Sequence, residues 1–173
     1  MTLEALYNRY SNMVYNLALQ YVQNIEDAEE VTQDVFMAIH QSLSSFRQEA
    51  SVSTWIYQIT INKSLDFIKS KKRKKRFGFI TALFGDDQNS DFNTPVEFNH
   101  PGVQMEDKES LKRLFDHINA LPDNQKTALI LHKIEQLPQS EVARIMEISP
   151  KAVESLIQRA KTGLSNKIKH SEG

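Results

Sequence analysis

The last third of the chain contains Leu137-Pro138-Gln139-Ser140-Glu141-Val142-Ala143-Arg144-Ile145-Met146, then Glu147-Ile148, then Ser149-Pro150-Lys151-Ala152-Val153-Glu154-Ser155-Leu156-Ile157-Gln158-Arg159-Ala160-Lys161. This pattern predicts a short helix, a tight turn and a second helix. Ser149 has the chemistry of an N-cap and Pro150 that of a first helical residue. Val153, Leu156, Ile157, Ala160 and Leu164 step by three and four along one stripe. The other face carries Lys151, Glu154, Ser155, Gln158, Arg159 and Lys161. A helix anchored behind and bearing hydrogen-bonding side chains in front suits a DNA major groove. Gln pairs with adenine and Glu accepts from cytosine, so the first four positions of that face are the base-edge candidates. Arg144, and either Lys126 or Lys133 on the supporting helices, are candidates for holding the DNA backbone.

The rest of the chain is also read as helical. Leu3, Leu6, Tyr7, Tyr10, Val14, Leu17, Ala18 and Tyr21 trace one stripe. Asn24, with Asp27 three positions on, looks like the start of a second helix, whose stripe is Ala28, Val31, Val35, Ile39, Leu43 and Phe46. A third helix is expected from Val52 or Ser53 to about Lys72, with Trp55 and Ile59 packing inward. No alternating strand pattern occurs. The expected fold class is all-α, two small helical domains over 1–76 and 106–173. Residues 77–105, rich in Gly, Pro, Asn and Asp, are read as a flexible acidic linker.

Charge is segregated. The net of −1 over 173 residues divides into −5 over 1–68, +7 over 69–76, −4 over 77–105 and +1 over 106–173. Different surfaces therefore suit different partners. Without cysteine, disulfides and thiolate metal sites are excluded. There is no basic-then-apolar leader pattern, and no apolar run approaches the roughly 20 residues that span a bilayer, so no membrane insertion and a cytoplasmic location are expected. HExxH, Walker A, G-x-S-x-G and dinucleotide glycine motifs are all missing, and the five histidines are scattered. No enzyme, metal or cofactor is expected.

Three strings go further. Asp27-Ala28-Glu29-Glu30-Val31-Thr32-Gln33-Asp34-Val35-Phe36 resembles the core-polymerase-binding signature of bacterial sigma factors. The segment from Phe46-Arg47 through Thr54-Trp55-Ile56-Tyr57-Gln58-Ile59 to Asn62 resembles the promoter-melting segment of the extracytoplasmic-function (ECF) group. Leu121-Pro122 and the helix-turn-helix ending Gln158-Arg159-Ala160-Lys161 are similar to that group's C-terminal domain. The resemblance runs through nearly the whole chain, in order.

It implies a sigma factor that binds core RNA polymerase, recognises a bipartite promoter and melts it. Asp27, Glu29, Glu30, Gln33, Asp34, Phe36 and Met37 would dock on the polymerase clamp coiled coil, although spacing alone reads the same face as solvated and Phe36 equally as core. Phe46, Arg47, Gln48, Glu49, Ser51, Asn62 and Lys63 would hold the non-template strand of the minus-ten element, with Phe46 as a wall and Asn62 reading a base edge. Many relatives have Gly at the position of Gln48. Lys71, Lys72 and Arg73 would touch phosphates. Lys151, Glu154, Ser155, Gln158, Arg159 and Lys161 would read duplex DNA at the minus-35 element. The C-terminal domain would meet the polymerase flap, and the linker would thread the RNA-exit path or serve only as a spacer. Many relatives have Gly where Glu147 stands in the turn, and many are held by an anti-sigma factor. A two-domain helix-turn-helix regulator with an N-terminal dimerisation or effector domain is the alternative, but such regulators lack the Asp27–Phe36 and Phe46–Asn62 strings.

Overall fold

The computed structural model describes residues 1–47, 50–84 and 105–171. Among them there is no strand. The elements are α1 (Leu3–Val22), α2 (Ile25–Ser42), a 3-10 turn (Leu43–Ser45), α3 (Val52–Phe84), α4 (Met105–Asn119), α5 (Asp123–Leu129) running into a π turn (Ile130–Ile134), α6 (Gln139–Met146) and α7 (Pro150–Ser171).

Local chemistry sets the helix boundaries. Thr2 caps α1 by accepting the amide of Ala5 at 3.2 Å, and Gln23 ends it in the left-handed region at φ 58°. Asn24 then starts α2 by accepting the amide of Asp27 at 2.9 Å. Ser51 Oγ accepts the amide of Thr54 at 3.1 Å at the head of α3. Ser149 Oγ does the same for Ala152 at 3.1 Å, with Pro150 opening α7.

Helices α1 to α3 close over Val14, Ala18, Val31, Val35, Ile39 and Ile56, all fully buried. At a fully packed site of this kind, truncating Ile39 to Ala costs about 2–5 kcal/mol. Helices α4 to α7 surround Ile130, Leu131, Val142, Val153 and Ala160. Gly163 lets α7 lie close to the α4–α5 connection: a Cβ there would sit 3.2 Å from Leu121 Cδ2.

One boundary and one exposure differ from expectation. α3 does not end near Lys72 but continues to Phe84, so 77–84, expected as the start of the linker, is helical. Gly78 is the weakest helix former in that stretch, at a cost of about 1 kcal/mol relative to Ala, and no proline interrupts it. The remainder of the linker expectation, 85–104, lies outside the described residues. Tyr7, placed on the inner stripe of α1 by periodicity, is 52% exposed.

The two helical groups share an apolar seam. Leu17, Tyr21, Tyr57 and Ile61 of the first belong to the same buried cluster as Ile118, Leu129 and Ile145 of the second. A domain of fewer than 70 residues makes a small core alone. Here it gains apolar cover from its neighbour.

Candidate polymerase and nucleic-acid interfaces

On α2, the buried stripe Val31, Val35 and Ile39 leaves Glu29, Glu30, Gln33, Asp34 and Met37 exposed. Met37 is the most open large apolar residue of this helix, at 61%. A groove of about 750 Å³ runs between α1 and α2, lined among others by Tyr7, Tyr15, Gln33, Met37 and His40. Phe36 forms part of its floor: it is buried, and its ring meets the edge of Tyr7 at 4.8 Å and 61°. Of the two readings left open for Phe36, docking residue or core, its burial matches the core. It belongs to the core because the α1–α2 packing claims it, and Tyr7 takes the exposed position beside it. Asp27 is also less available than expected, since Lys71 of α3 forms an ion pair with it.

The segment between α2 and α3 builds a second concavity. Phe46 stacks on Trp55 at 4.5 Å and 27°, while Trp55 packs against the apolar core of α1 to α3. Trp55 is thus an inward prop, as its spacing with Ile59 suggests, and Phe46 forms the wall above it. Arg47 is exposed. Ser51 is engaged in the α3 cap, and its hydroxyl also bonds that of Thr54 at 2.8 Å. Gln48 and Glu49 lie outside the described residues.

The cleft measures about 830 Å³ and has walls from both helical groups: Phe46, Arg47, Trp55 and Gln58 on one side, Glu141 and Arg144 on the other. Thr54 Oγ1 donates to Glu141 Oε1 at 3.0 Å, and Gln58 Nε2 donates to the Ile145 carbonyl at 3.1 Å. Helix α6 therefore lies across the expected strand-melting surface. Asn62 is exposed beside a smaller cavity of about 260 Å³ that reaches Met146 and Glu147, and Lys63 is half-buried on the same helix. Further along α3, Lys72 and Arg73 are exposed, and Lys71 lies over the Phe67 ring at 5.9 Å.

In the helix-turn-helix, α7 buries Val153, Ile157 and Ala160 and exposes Lys151, Glu154, Ser155, Gln158, Arg159 and Lys161. All six expected reading residues thus share one open surface. Glu147 adopts φ 56°, ψ 40°, the left-handed turn that favours glycine. Arg144 is exposed and pairs with Glu141 at 2.9 Å. Lys133 is exposed, whereas Lys126, expected to hold DNA backbone, is 2% exposed and lies over the Tyr21 ring at 5.9 Å. That expectation is corrected. Burial lowers the Lys126 ammonium below its ordinary pKa of 10.5, against the opposing pull of Asp123.

Polar contacts reinforce the seam. Gln20 Nε2 donates to Glu135 Oε1 at 2.5 Å, and the Tyr57 hydroxyl donates to Glu135 Oε2 at 3.4 Å. Burial, then the Glu135 charge, pushes Tyr57 up to about 12. Burial also raises Tyr21, whose hydroxyl bond to Thr127 opposes the shift. Sequence reasoning missed Glu135, Glu141 and Tyr21 as inter-domain residues. They carry no motif, and their partners are remote in the chain.

Comparison with known proteins bears on both groups. Residues 6–74 match Sigma-70 region 2, and residues 111–164 match Sigma-70 region 4. The ECF RNA polymerase sigma-E factor of Haemophilus influenzae is 33% identical over 164 residues, covering 94% of this chain and 85% of that one. The ECF RNA polymerase sigma-E factor of Escherichia coli K12 is 28% identical over 160 residues, covering 92% and 83%. Among solved structures, CnrH in complex with the cytosolic domain of CnrY is similar in fold, with a TM-score of 0.64, 21% identity and coverage of 97% and 88%. So is the sigma factor RpoE in complex with the anti-sigma factor NepR from Bartonella quintana, with a TM-score of 0.63, 17% identity and 96% coverage of both chains. A region-2 bundle with an open polar α2 face, followed by a region-4 helix-turn-helix with an open reading face, agrees with these matches in order and extent: the chain belongs to the ECF group of the sigma-70 family.

Proposed function

We propose that this chain binds core RNA polymerase in the cytoplasm, carries it to a bipartite promoter and opens the DNA there, without catalysing a reaction itself. The observation that carries the reading is the pairing of two open polar faces, α2 in region 2 and α7 in region 4, on one chain that matches both regions.

The α2 residues Glu29, Glu30, Gln33, Asp34 and Met37 dock on the polymerase clamp, with Tyr7 completing the apolar part of the surface. Charged side chains steer and orient such a contact more than they tighten it. Phe46, Arg47 and Asn62 receive the melted minus-ten strand, and Lys63, Lys72 and Arg73 follow its backbone. An extruded base leaves its stack at a cost of a few kcal/mol, which a stacked wall and a Watson–Crick partner offset. Lys151, Glu154, Ser155 and Gln158 read the minus-35 duplex, with Arg159 and Lys161 beside them.

Helix α6 contacts Thr54 and Gln58 beside the surface proposed for the minus-ten strand. Productive binding therefore requires the domains to part. The similar RpoE structure is a complex with the anti-sigma factor NepR, and a protein of that class is the partner expected for the clasped form of this chain.

In vitro transcription with core polymerase, this protein and a promoter library tests the reading. Enriched start sites preceded by a shared two-part element are expected. A folded protein that directs no start site and does not co-elute with core enzyme removes it.

A further inference from the structure

Helix α3 is about 50 Å long at 1.5 Å per residue, and among the described residues its last third, from Lys74 to Leu83, carries no buried side chain. Phe77, Phe79, Ile80 and Leu83 on that stretch are 72%, 62%, 45% and 62% exposed. They are not scattered. At 100° per residue they occupy about 160° of the helix circumference, with the small residues Gly78, Thr81 and Ala82 on the opposite side. Followed back toward the core, the same face carries Lys72, Arg73 and Arg76. Among the described residues, none of Lys72, Arg73, Lys74, Lys75 and Arg76 has a carboxylate partner, and all five are exposed. One strip thus runs from unpaired cations to unpaired aromatic and aliphatic side chains.

Phosphate contact accounts for the cations alone. A nucleic-acid backbone gives no reason for four large apolar residues on the same strip, and a helix end without packing is marginal in water. A surface that is anionic at its outer layer and apolar just beneath it matches both halves. Helices of this make-up lie in the membrane interface, with Phe and Leu entering the acyl boundary and Lys or Arg reaching the headgroups. We propose that residues 72–83 form an amphipathic arm that binds peripherally to an anionic phospholipid bilayer. The contact lies flat on the surface: no described helix is long and apolar enough to cross a membrane. Because Lys72 and Arg73 are also the proposed DNA-backbone residues, lipid and promoter would compete for them, a consequence that rests on the function proposed above.

Co-sedimentation of the full chain with vesicles tests the arm without polymerase or DNA. The protein is expected to pellet with phosphatidylglycerol–phosphatidylcholine vesicles and to remain in the supernatant with pure phosphatidylcholine. Phe77→Ser with Phe79→Ser, at exposed positions that leave the core untouched, is expected to weaken vesicle binding on the order of tenfold. Lys72→Gln with Arg73→Gln and Arg76→Gln is expected to weaken it similarly, while the thermal unfolding of both variants stays that of the parent. Failure to pellet with anionic vesicles overturns the proposal. So does a Phe77/Phe79 variant that pellets as well as the parent, because the contact would then be charge alone. If that variant keeps vesicle binding and instead loses affinity for core polymerase or single-stranded DNA, the strip belongs to that partner and the proposal fails.

Discussion

Tyr21 of α1 and Thr127 of α5 share a hydroxyl–hydroxyl hydrogen bond of 2.8 Å, buried in the seam between the two sigma regions. Their residues are 1% and 4% exposed, so neither hydroxyl has water as a ready substitute. Thr127→Val strands the Tyr21 hydroxyl and is expected to destabilise the protein by about 1–3 kcal/mol. Tyr21→Phe combined with Thr127→Val is expected to cost clearly less than the two single changes together. Urea denaturation of the four proteins in a double-mutant cycle measures this, and strictly additive costs would exclude coupling between the hydroxyls.

The carboxylates of Glu135 and Glu141 reach Gln20, Tyr57 and Thr54 across the same seam. Replacing both with Ala is expected to shift the clasped-to-open equilibrium toward open by on the order of tenfold, at about 0.5 kcal/mol or more per lost bond. The chain has no cysteine, so dyes on Asn16→Cys and Ser165→Cys report the distance between the regions without background labelling. Unchanged energy transfer in the double variant would show that these bonds do not hold the domains together.

The tyrosines give the seam a pH dependence. Tyr57 is raised from 10.0 to about 12 in the folded state. Between those values the unfolded chain loses a proton that the folded chain keeps, so stability falls as pH rises from 10 through 12. Burial raises Tyr21 too, in the same sense. Lys126 has the opposite sign: its lowered pKa means that the folded state releases its proton first, so its contribution improves as pH climbs toward 10.5. Urea midpoints across this alkaline range are expected to drop less steeply in Tyr57→Phe than in the parent. Identical slopes would contradict the assignment.

Glu147 holds a left-handed backbone in the turn between α6 and α7, with φ 56°. Relief of roughly 1–2 kcal/mol of strain, less the 0.5–1 kcal/mol entropic cost of glycine, gives Glu147→Gly a net gain on the order of 0.5–1 kcal/mol. The urea midpoint is expected to rise, and a fall would mean that the Glu147 side chain contributes more than its backbone costs.

The proposed surfaces separate by assay. Asp34→Lys is expected to reduce affinity for core polymerase about tenfold, chiefly through slower association, since it reverses a steering charge on the open α2 face. Gln158→Ala is expected to relax selectivity at one minus-35 position by about 1–3 kcal/mol and leave core binding intact. Asn62→Ala is expected to do the same within the minus-ten element. Core binding lost with Gln158→Ala or Asn62→Ala, and kept with Asp34→Lys, would reverse the assignment of the surfaces.

Several of these features are readable without a structure because they are local. Asn24 and Ser149 announce α2 and α7 through side-chain bonds to amides three residues on. The three-and-four spacing of Val31 and Val35, and of Val153, Ile157 and Ala160, determines which side of each helix remains for partners. That is why the open α2 and α7 faces, proposed here for docking and for reading DNA, follow from the order of residues alone. Tertiary structure decided the rest. Lys126 carries the same charge as Lys133, but Lys126 is buried with its ammonium over the Tyr21 ring while Lys133 is exposed. Tyr7 fits the α1 stripe and Phe36 lies off the α2 stripe, yet the α1–α2 crossing buries Phe36 and leaves Tyr7 exposed. The covering of the cleft proposed for the minus-ten strand rests on Thr54–Glu141 and Gln58–Ile145 contacts 87 positions apart. Helical periodicity repeats every 3.6 residues and carries no information at that range. The partners of such contacts are chosen by shape and desolvation once the helices have formed.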